Sequence, residues 1–281
     1  MDGRRGLPAA LLGSCHPQPA FAVTLIAALL ALAVGRGWPG TAAVGAAILA
    51  GQLSIGWSND YLDRYRDATT GRPGKPVAAG LLPAATVRRA SVLAVLAAVP
   101  LSLLSGLPAT GLHLAAVGSA WSYNLRLKAT AASVLPYLVS FGLLPAFVVA
   151  GLPGHPAPPP WLVLAGALLG GAAHFANVLP DLADDVATGV VGLPHRLGPR
   201  LSAATAVGLL LLASAVLAAG PPALPAALRA GAVPIAAVAG LAGLLLGRRS
   251  GSRAAFTAVI LVAVVDVVLL VLAARGPRLS R

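Results

Sequence analysis

Long apolar runs separated by short polar joints set the pattern of this chain. Nine such runs, over residues 19–35, 40–58, 88–105, 108–123, 131–151, 161–178, 201–219, 226–247 and 254–274, fill most of its 281 residues. A helix needs about 20 apolar residues to cross a bilayer, and in lipid the backbone polar groups must be satisfied within the segment itself. The pattern therefore predicts an all-α, polytopic membrane helical bundle of about nine transmembrane helices. Pro and Gly punctuate the joints, as in Trp38-Pro39-Gly40, Gly106-Leu107-Pro108, Gly151 to Pro160 and Gly220-Pro221-Pro222. No long polar region is left for a second domain. The expectation is one domain over residues 1–281, with residues 1–18 as an N-terminal cytoplasmic tail.

Composition agrees, with 58% hydrophobic residues, 10% charged residues and a mean hydropathy of +0.86, far from a soluble globular domain. The positive residues orient the bundle, because cytoplasmic loops collect Arg and Lys. Arg4 and Arg5 precede the first run. Arg64, Arg66, Arg72, Lys75, Arg88 and Arg89 fall between the second and third, and Arg126 and Lys128 follow the fourth. Arg196 and Arg200 fall between the sixth and seventh runs, and Arg248, Arg249 and Arg253 between the eighth and ninth. These joints share one side, read as the cytoplasm. The opposite joints carry only Arg36 and Arg229, while nine spans put Arg275, Arg278 and Arg281 outside. A net charge of +12 is thus explained by topology and anionic lipid. No nucleic-acid module accompanies it. The lone Cys15 excludes an intrachain disulfide, and the apolar run before it is too short for a secretory signal.

Polar positions inside the apolar runs carry the chemistry. All eight acids are aspartates, and six form two clusters: Asp60, Asp63 and Asp67, then Asp181, Asp184 and Asp185. Asn59, Asp63 and Asp67 follow N-x-x-x-D-x-x-x-D, and Asn177, Asp181 and Asp185 repeat it. On a helix that spacing stacks the three side chains on one face. Both ladders fall at the cytoplasmic ends of their helices. An ionised aspartate within a membrane helix costs about 2.5–3.5 kcal/mol on insertion scales, and crowded carboxylates repel. A nearby arginine could compensate one aspartate, but two ladders in the same order point to a hard divalent cation. Mg²⁺ takes oxygen ligands, keeps waters and bridges carboxylates to a phosphate, which suggests a diphosphate gripped from two sides.

Basic loops follow the ladders. Arg72-Pro73-Gly74-Lys75-Pro76-Val77-Ala78-Ala79-Gly80 is turn-forming and cationic, and Trp121-Ser122-Tyr123-Asn124-Leu125-Arg126-Leu127-Lys128 is polar and cationic at the same depth. The only two lysines, Lys75 and Lys128, lie in these segments. Topological bias alone explains either cluster; together with the ladders they become phosphate-binding candidates. Gly189 to Gly198, with glycines for a tight return and Arg196 for a phosphate, reads as a third element or as a plain loop.

In these motifs the chain resembles the UbiA superfamily of intramembrane prenyltransferases, over nearly its whole length. Asn59, Asp60, Asp63 and Asp67 meet that family's N-D-x-x-D-x-x-x-D, and Asp181 and Asp185 its D-x-x-x-D. Arg72 to Gly80 is similar to the R-P-x-x-x-G stretch with an altered middle. Ser122 to Lys128 is similar to Y-S-x-x-L-K-x-K, with Trp121 where Tyr is common. Leu193-Pro194-His195-Arg196-Leu197-Gly198 is similar to L-P-x-R-L-G. The resemblance implies helices around a central cavity and Mg²⁺-dependent transfer of an isoprenyl group from a prenyl diphosphate to an acceptor, with the aromatic ring of a quinone precursor one class among several. Asp60, Asp63, Asp67, Asp181 and Asp185 are then the catalytic metal ligands. Asn59, Asn177, Arg72, Lys75, Arg126, Lys128 and Arg196 are expected on the diphosphate. A membrane terpene cyclase using the same site, and a transporter or lipid-binding membrane protein, are the alternatives.

Other polar positions are less defined. Asp184 points about 100° from Asp185 on a helix and ranks behind it, with pairing to a loop arginine as its other role. Gln52 and His174 each lie seven residues before a ladder and could face the same cavity. Asp266 is deep in the last run and reads either as functional or as a protonated or hydrogen-bonded structural group. His16, His113 and His155 have no metal-ligand spacing and read as bystanders.

Overall fold

The computed structural model describes residues 6–70, 75–220, 224–247 and 254–275. Arg72, expected on the diphosphate, lies outside them, as do Arg4, Arg5, Arg248, Arg249, Arg253, Arg278 and Arg281. The described residues are helical, with no strand among them. The helices are α1 (Leu7–Ser14), α2 (Pro17–Ala33), α3 (Gly37–Thr70), α4 (Ala84–Leu103), α5 (Leu107–Leu125), α6 (Leu135–Ala150), α7 (Pro160–Val178), α8 (Leu182–Ala187), α9 (Leu193–Ala219), α10 (Ala226–Gly247) and α11 (Ala254–Ala273). Short 3-10 turns sit at Leu127–Ala129 and Leu179–Asp181.

Every apolar run has its helix; α1 and α8 are additional. By length and composition four stretches can cross a bilayer: α3, α4, α7 continued through α8, and α9. The pair α1 and α2, bent by 68°, makes a fifth if taken as one span. The nine helices therefore match the pattern in position, while nine full crossings are not established by it. α6, with 16 residues, is short, and α5 gives positions to His113, Trp121, Tyr123 and Asn124, which lower its hydropathy.

Three boundaries bear on the site. α3 runs past its apolar run to Thr70 because no Gly or Pro interrupts it after Gly56, so the whole first ladder is helical. The second ladder is not on one regular helix. Pro180 has no amide hydrogen and its ring crowds the carbonyl four residues back, and the chain tightens into the 3-10 turn before resuming as α8. In α9, Gly198 takes φ +76° ahead of Pro199, separating the turn Leu193–Leu197 from the long remainder. Glycine reaches that left-handed conformation without strain.

Packing is tight at the end away from the ladders. Leu30, Val44, Phe147, Val148, Leu162 and Leu217 are fully buried there or along the adjoining helices. α2 packs on α3 and α3 on α4, the sequence α5, α6, α7, α9 continues the bundle, and α11 reaches both α7 and α2. On α7, Gly166 and Gly170 form a G-x-x-x-G step that admits α6: a Cβ on Gly166 would stand 2.5 Å from the Phe141 carbonyl oxygen. Small residues let membrane helices approach in this way. Arg36, between α2 and α3, ties the same end by donating to the Val148 carbonyl (3.3 Å) and to Ser105 Oγ (3.0 Å). Exposed Leu93, Leu96, Leu212, Val238, Leu241 and Val264 leave an apolar exterior suited to lipid.

Within the expected N-terminal tail, residues 6–18 hold α1 and the start of α2. α1 docks on α3, where Trp57 Nε1 donates to the Leu11 carbonyl (2.9 Å) and Gly56 lies so close to the Cys15 carbonyl that no side chain would fit.

Candidate active site

Between α2, α3, α5, α6 and α7 the bundle opens into a cavity of about 670 Å³. Its polar end holds Asn59, Asp63 and Arg66 of α3, Lys75, Lys128, and, across from them, Asn177, Asp181, Asp184 and Asp185. Its stem is lined by apolar side chains such as Val23, Ile48, Ala116, Val117, Phe141 and Leu144. The fold thus brings both aspartate clusters to one cavity. α9, α10 and α11 supply none of its lining.

The first ladder is a dense ionic assembly. Asn59 Nδ2 donates to Asp63 Oδ2 (3.1 Å) and to Asn124 Oδ1 (3.3 Å), and Asn124 in turn donates to the Ile55 carbonyl (2.9 Å) and Ser58 Oγ (2.8 Å). Asn124 thereby fixes α5 against α3 beside the ladder. Asp63 also accepts from Arg66 (2.9 Å) and pairs with Lys128. Arg66 Nε lies 3.6 Å from Asp67 Oδ1. Lys75 Nζ sits 3.5 Å from Asp60 Oδ1 and 3.4 Å from Asp67 Oδ2, and donates to His16 Nε2 (3.1 Å). Burial together with Lys75 pushes the His16 imidazole down to about 4, so it is neutral near pH 7 and can accept from the lysine. Burial also holds Lys128 below the ordinary lysine range, with Asp63 opposing the shift.

Asp60 and Asp67 are each 1% exposed and do not line the cavity; they lie behind Lys75. The Val77 amide faces the Asp60 carboxylate, whose Oδ2 completes no hydrogen bond. Among the described residues no three acidic, histidine or cysteine side chains converge as a preformed metal cage.

The second cluster differs from its expectation in two ways. Asp184 lines the cavity beside Asp181 and Asp185: it shares the short helix α8 with Asp185, and two side chains about 100° apart both reach the cavity from there. The histidine of L-P-H-R-L-G turns inward, and the arginine does not. The Gly192 amide donates to His195 Nδ1 (3.0 Å), leaving His195 Nε2 as the nitrogen 3.4 Å from Asp185 Oδ2. Arg196, one residue further round the helix, is exposed and outside the cavity, and so is Arg126. Of the predicted diphosphate cations, Lys75 and Lys128 reach the site. Arg66, not singled out from the sequence, joins them.

Gln52 lines the cavity. His174 is buried behind it, with Nε2 against Ser133 Oγ (3.0 Å) and its ring 4.9 Å from that of Tyr137. Tyr123 and Tyr137 meet edge to face at 5.2 Å and form an aromatic wall. His16 and His113 are lining residues, which corrects their reading as bystanders. His155 lies at the opposite end, against the Ala150 carbonyl (2.8 Å). Asp266 is fully buried between α9 and α11, where its Oδ1 accepts from Ser214 (2.6 Å).

The fold and the site together are those of an all-helical membrane bundle with aspartates and three cations at the head of a largely apolar cavity. The chain belongs to the UbiA prenyltransferase family, whose sequence profile matches residues 20–261. No curated protein matches it significantly. Solved structures share the fold. A UbiA homolog from Archaeoglobus fulgidus bound to GPP and Mg²⁺ is 14% identical over 95% of this chain and 100% of its own, with a TM-score of 0.69. A structure of digeranylgeranylglyceryl phosphate synthase is 15% identical over 95% of this chain and 98% of its own, with a TM-score of 0.68. An apo UbiA homolog from Aeropyrum pernix K1 is 19% identical over 89% and 95%, with a TM-score of 0.67.

Proposed function

We propose that this protein transfers an isoprenyl group from a prenyl diphosphate to an acceptor within the membrane, in an Mg²⁺-dependent reaction. One observation carries the reading: Asp63 and the second aspartate cluster, with Arg66, Lys75 and Lys128, head a single cavity whose stem is largely apolar. The homologs from Archaeoglobus fulgidus bound to GPP or DMAPP with Mg²⁺ support it.

The donor set fits Mg²⁺. It is all oxygen, and Asp60 Oδ2 is buried without a hydrogen bond. Asp60, Asp63, Asp67, Asp181 and Asp185 would hold the cation. When bound, Mg²⁺ neutralises the diphosphate and stabilises the negative charge that grows on the leaving group.

The chain's own groups do the rest. Lys75, Lys128 and Arg66 offer N–H donors to the diphosphate oxygens, and Asn59 and Asn177 orient them. The allylic C–O bond breaks with its electron pair staying on the diphosphate. Apolar side chains lining the cavity flank the prenyl chain next to the diphosphate and keep water from the electron-poor carbon. Arg64, Arg66, Arg88, Arg89 and Arg200 gather at the ladder end of the helices, which supports a site toward the cytoplasm.

Asp63→Ala and Asp181→Ala are expected to stop diphosphate release from a prenyl donor by purified protein in detergent, with thermal unfolding as the control for folding. EDTA should inhibit and Mg²⁺ restore. Wild-type rates in both variants, or an EDTA-insensitive rate, would reject the proposal.

A further inference from the structure

The stem of the cavity has few polar side chains: Ser140, whose hydroxyl donates to the Ala116 carbonyl (2.8 Å), and the pair His113 and Gln52. His113 of α5 is 3% exposed and lines the cavity. Its ring is stacked on Phe147, with centroids 4.8 Å apart, and its Nδ1 lies 2.7 Å from Ser102 Oγ. Ser102 Oγ is also 2.5 Å from the Ala98 carbonyl oxygen. A hydroxyl has one hydrogen, and a carbonyl can only accept, so Ser102 donates to Ala98 and accepts from an Nδ1–H of His113. Nε2 then carries the lone pair. It has no hydrogen bond to any described residue. It stands where a Cβ on Gly51 would come within 3.0 Å, which places it at the level of Gly51 and Gln52 on α3. The Gln52 amide, also lining, has no hydrogen bond among the described residues either.

Position gives this pair its meaning. Gln52 lies seven residues before Asn59 on α3, about 10 Å deeper at 1.5 Å per residue and on nearly the same face. A prenyl chain placed against Nε2 would bury that acceptor with nothing to donate to it, which carries a desolvation penalty. A hydroxyl satisfies it. The stem offers no Arg or Lys among its described lining residues, since Arg66, Lys75 and Lys128 are all at the ladder end. A carboxylate at that depth would have no counter-charge.

We infer that His113 Nε2 and Gln52 form the specificity site for the acceptor, which is an uncharged, elongated hydrophobic molecule bearing a hydroxyl group about 10 Å from the atom that receives the prenyl group. The hydroxyl donates to His113 Nε2, and Ser102 is the positioning residue that holds the imidazole in the accepting tautomer. This rests on the prenyl-transfer reading for the identity of the ligand as acceptor, while the polar site itself is tested without a donor.

The probes are 4-hydroxybiphenyl, its methyl ether 4-methoxybiphenyl, and biphenyl-4-carboxylate, in equilibrium binding to the full chain purified in detergent. The expected wild-type preference for the phenol over the ether is about tenfold, the scale of one hydrogen bond to a buried acceptor, and the carboxylate should bind more weakly than the phenol. The phenol-to-ether ratio is read within each variant. His113→Phe, or His113→Met should the first not fold, should bring it close to one. A wild-type ratio near one, a tenfold ratio surviving in the folded variant, or a carboxylate binding as tightly as the phenol would each overturn the inference. Mg²⁺-dependent binding of geranyl diphosphate is measured separately. Its failure would reject the prenyl-transfer reading and leave the phenol-to-ether result to decide the site.

Discussion

Lys75→Met tests whether a lysine stands among the carboxylates in the place that a bound cation would take. Lys75 Nζ is 3.5 Å from Asp60 Oδ1 and 3.4 Å from Asp67 Oδ2, and its side chain is 12% exposed against 1% for each partner. With the ammonium removed, Asp67 keeps Arg66 Nε at 3.6 Å. Asp60 has no other ion pair among the described residues and is left as a buried charge. Stranding one partner of a buried pair costs about 3–5 kcal/mol; with only one of the two carboxylates stranded, the lower end applies, about 3 kcal/mol. Thermal unfolding of purified protein in EDTA should then show a Tm lower than wild type by roughly 6–12 °C. Mg²⁺ should narrow the gap, because a cation that no longer competes with Lys75 binds the variant better. At a hundredfold excess over Kd such binding is worth about 2.7 kcal/mol. A variant within about 2 °C of wild type in EDTA, or a gap unchanged by saturating Mg²⁺, would refute the reasoning.

Three further outcomes separate parts of the structure. Lys128→Ala should lower the prenyl-transfer rate about a hundredfold, the scale of one lost donor to developing charge, whereas Arg126→Ala and Arg196→Ala, at exposed positions outside the cavity, should leave it within about threefold; equal losses in steady-state assays would show that the exposed arginines turn inward. Gly166→Ala places a methyl group 2.5 Å from the Phe141 carbonyl oxygen and should destabilise the α6 and α7 contact by about 1–3 kcal/mol, read as a lowered Tm. Ser214→Ala removes the hydrogen bond to Asp266, whose other oxygen already has none, and should cost about 1–3 kcal/mol without changing turnover per folded molecule; a drop in turnover would mean that Asp266 takes part in function.

Much of this architecture is legible in the chain. Apolar runs bounded by Pro and Gly locate the long helices, and a four-residue repeat of Asn and Asp places the first ladder on one face of α3. Legibility stops where the backbone leaves the regular helix. Pro180, within the 3-10 turn Leu179–Asp181, takes the second cluster off a single helix, and from α8 both Asp184 and Asp185 reach the cavity, although their separation on a helix sets one of them aside. The choice between His195 and Arg196 depends on the turn Leu193–Leu197 and the break at Gly198, and side-chain charge points to Arg196, which is the exposed one. His16 and His113 have no neighbours in sequence that mark them. His16 meets Lys75 across 59 positions and only because α1 folds onto α3; His113 meets the stem because Ser102 on α4 turns its ring.

The ladder itself also asks for a different argument once its neighbours are known. Carboxylates in a membrane helix need compensation, and that alone points toward a divalent cation. In the folded chain Asp60, Asp63 and Asp67 face Arg66, Lys75 and Lys128, so three negative and three positive charges cancel among the described residues. The case for a metal therefore does not rest on unbalanced charge. It rests on the second cluster across the cavity and on Asp60, whose Oδ2 is buried without a hydrogen bond. A neutral assembly also constrains what can enter. The first ladder is balanced, while Asp181, Asp184 and Asp185 add negative charge across the cavity; diphosphate alone would meet those carboxylates, and a divalent cation alone would sit beside two lysines. Arriving together they nearly cancel, the lysines and arginine turning from carboxylate to phosphate as the carboxylates turn to the cation.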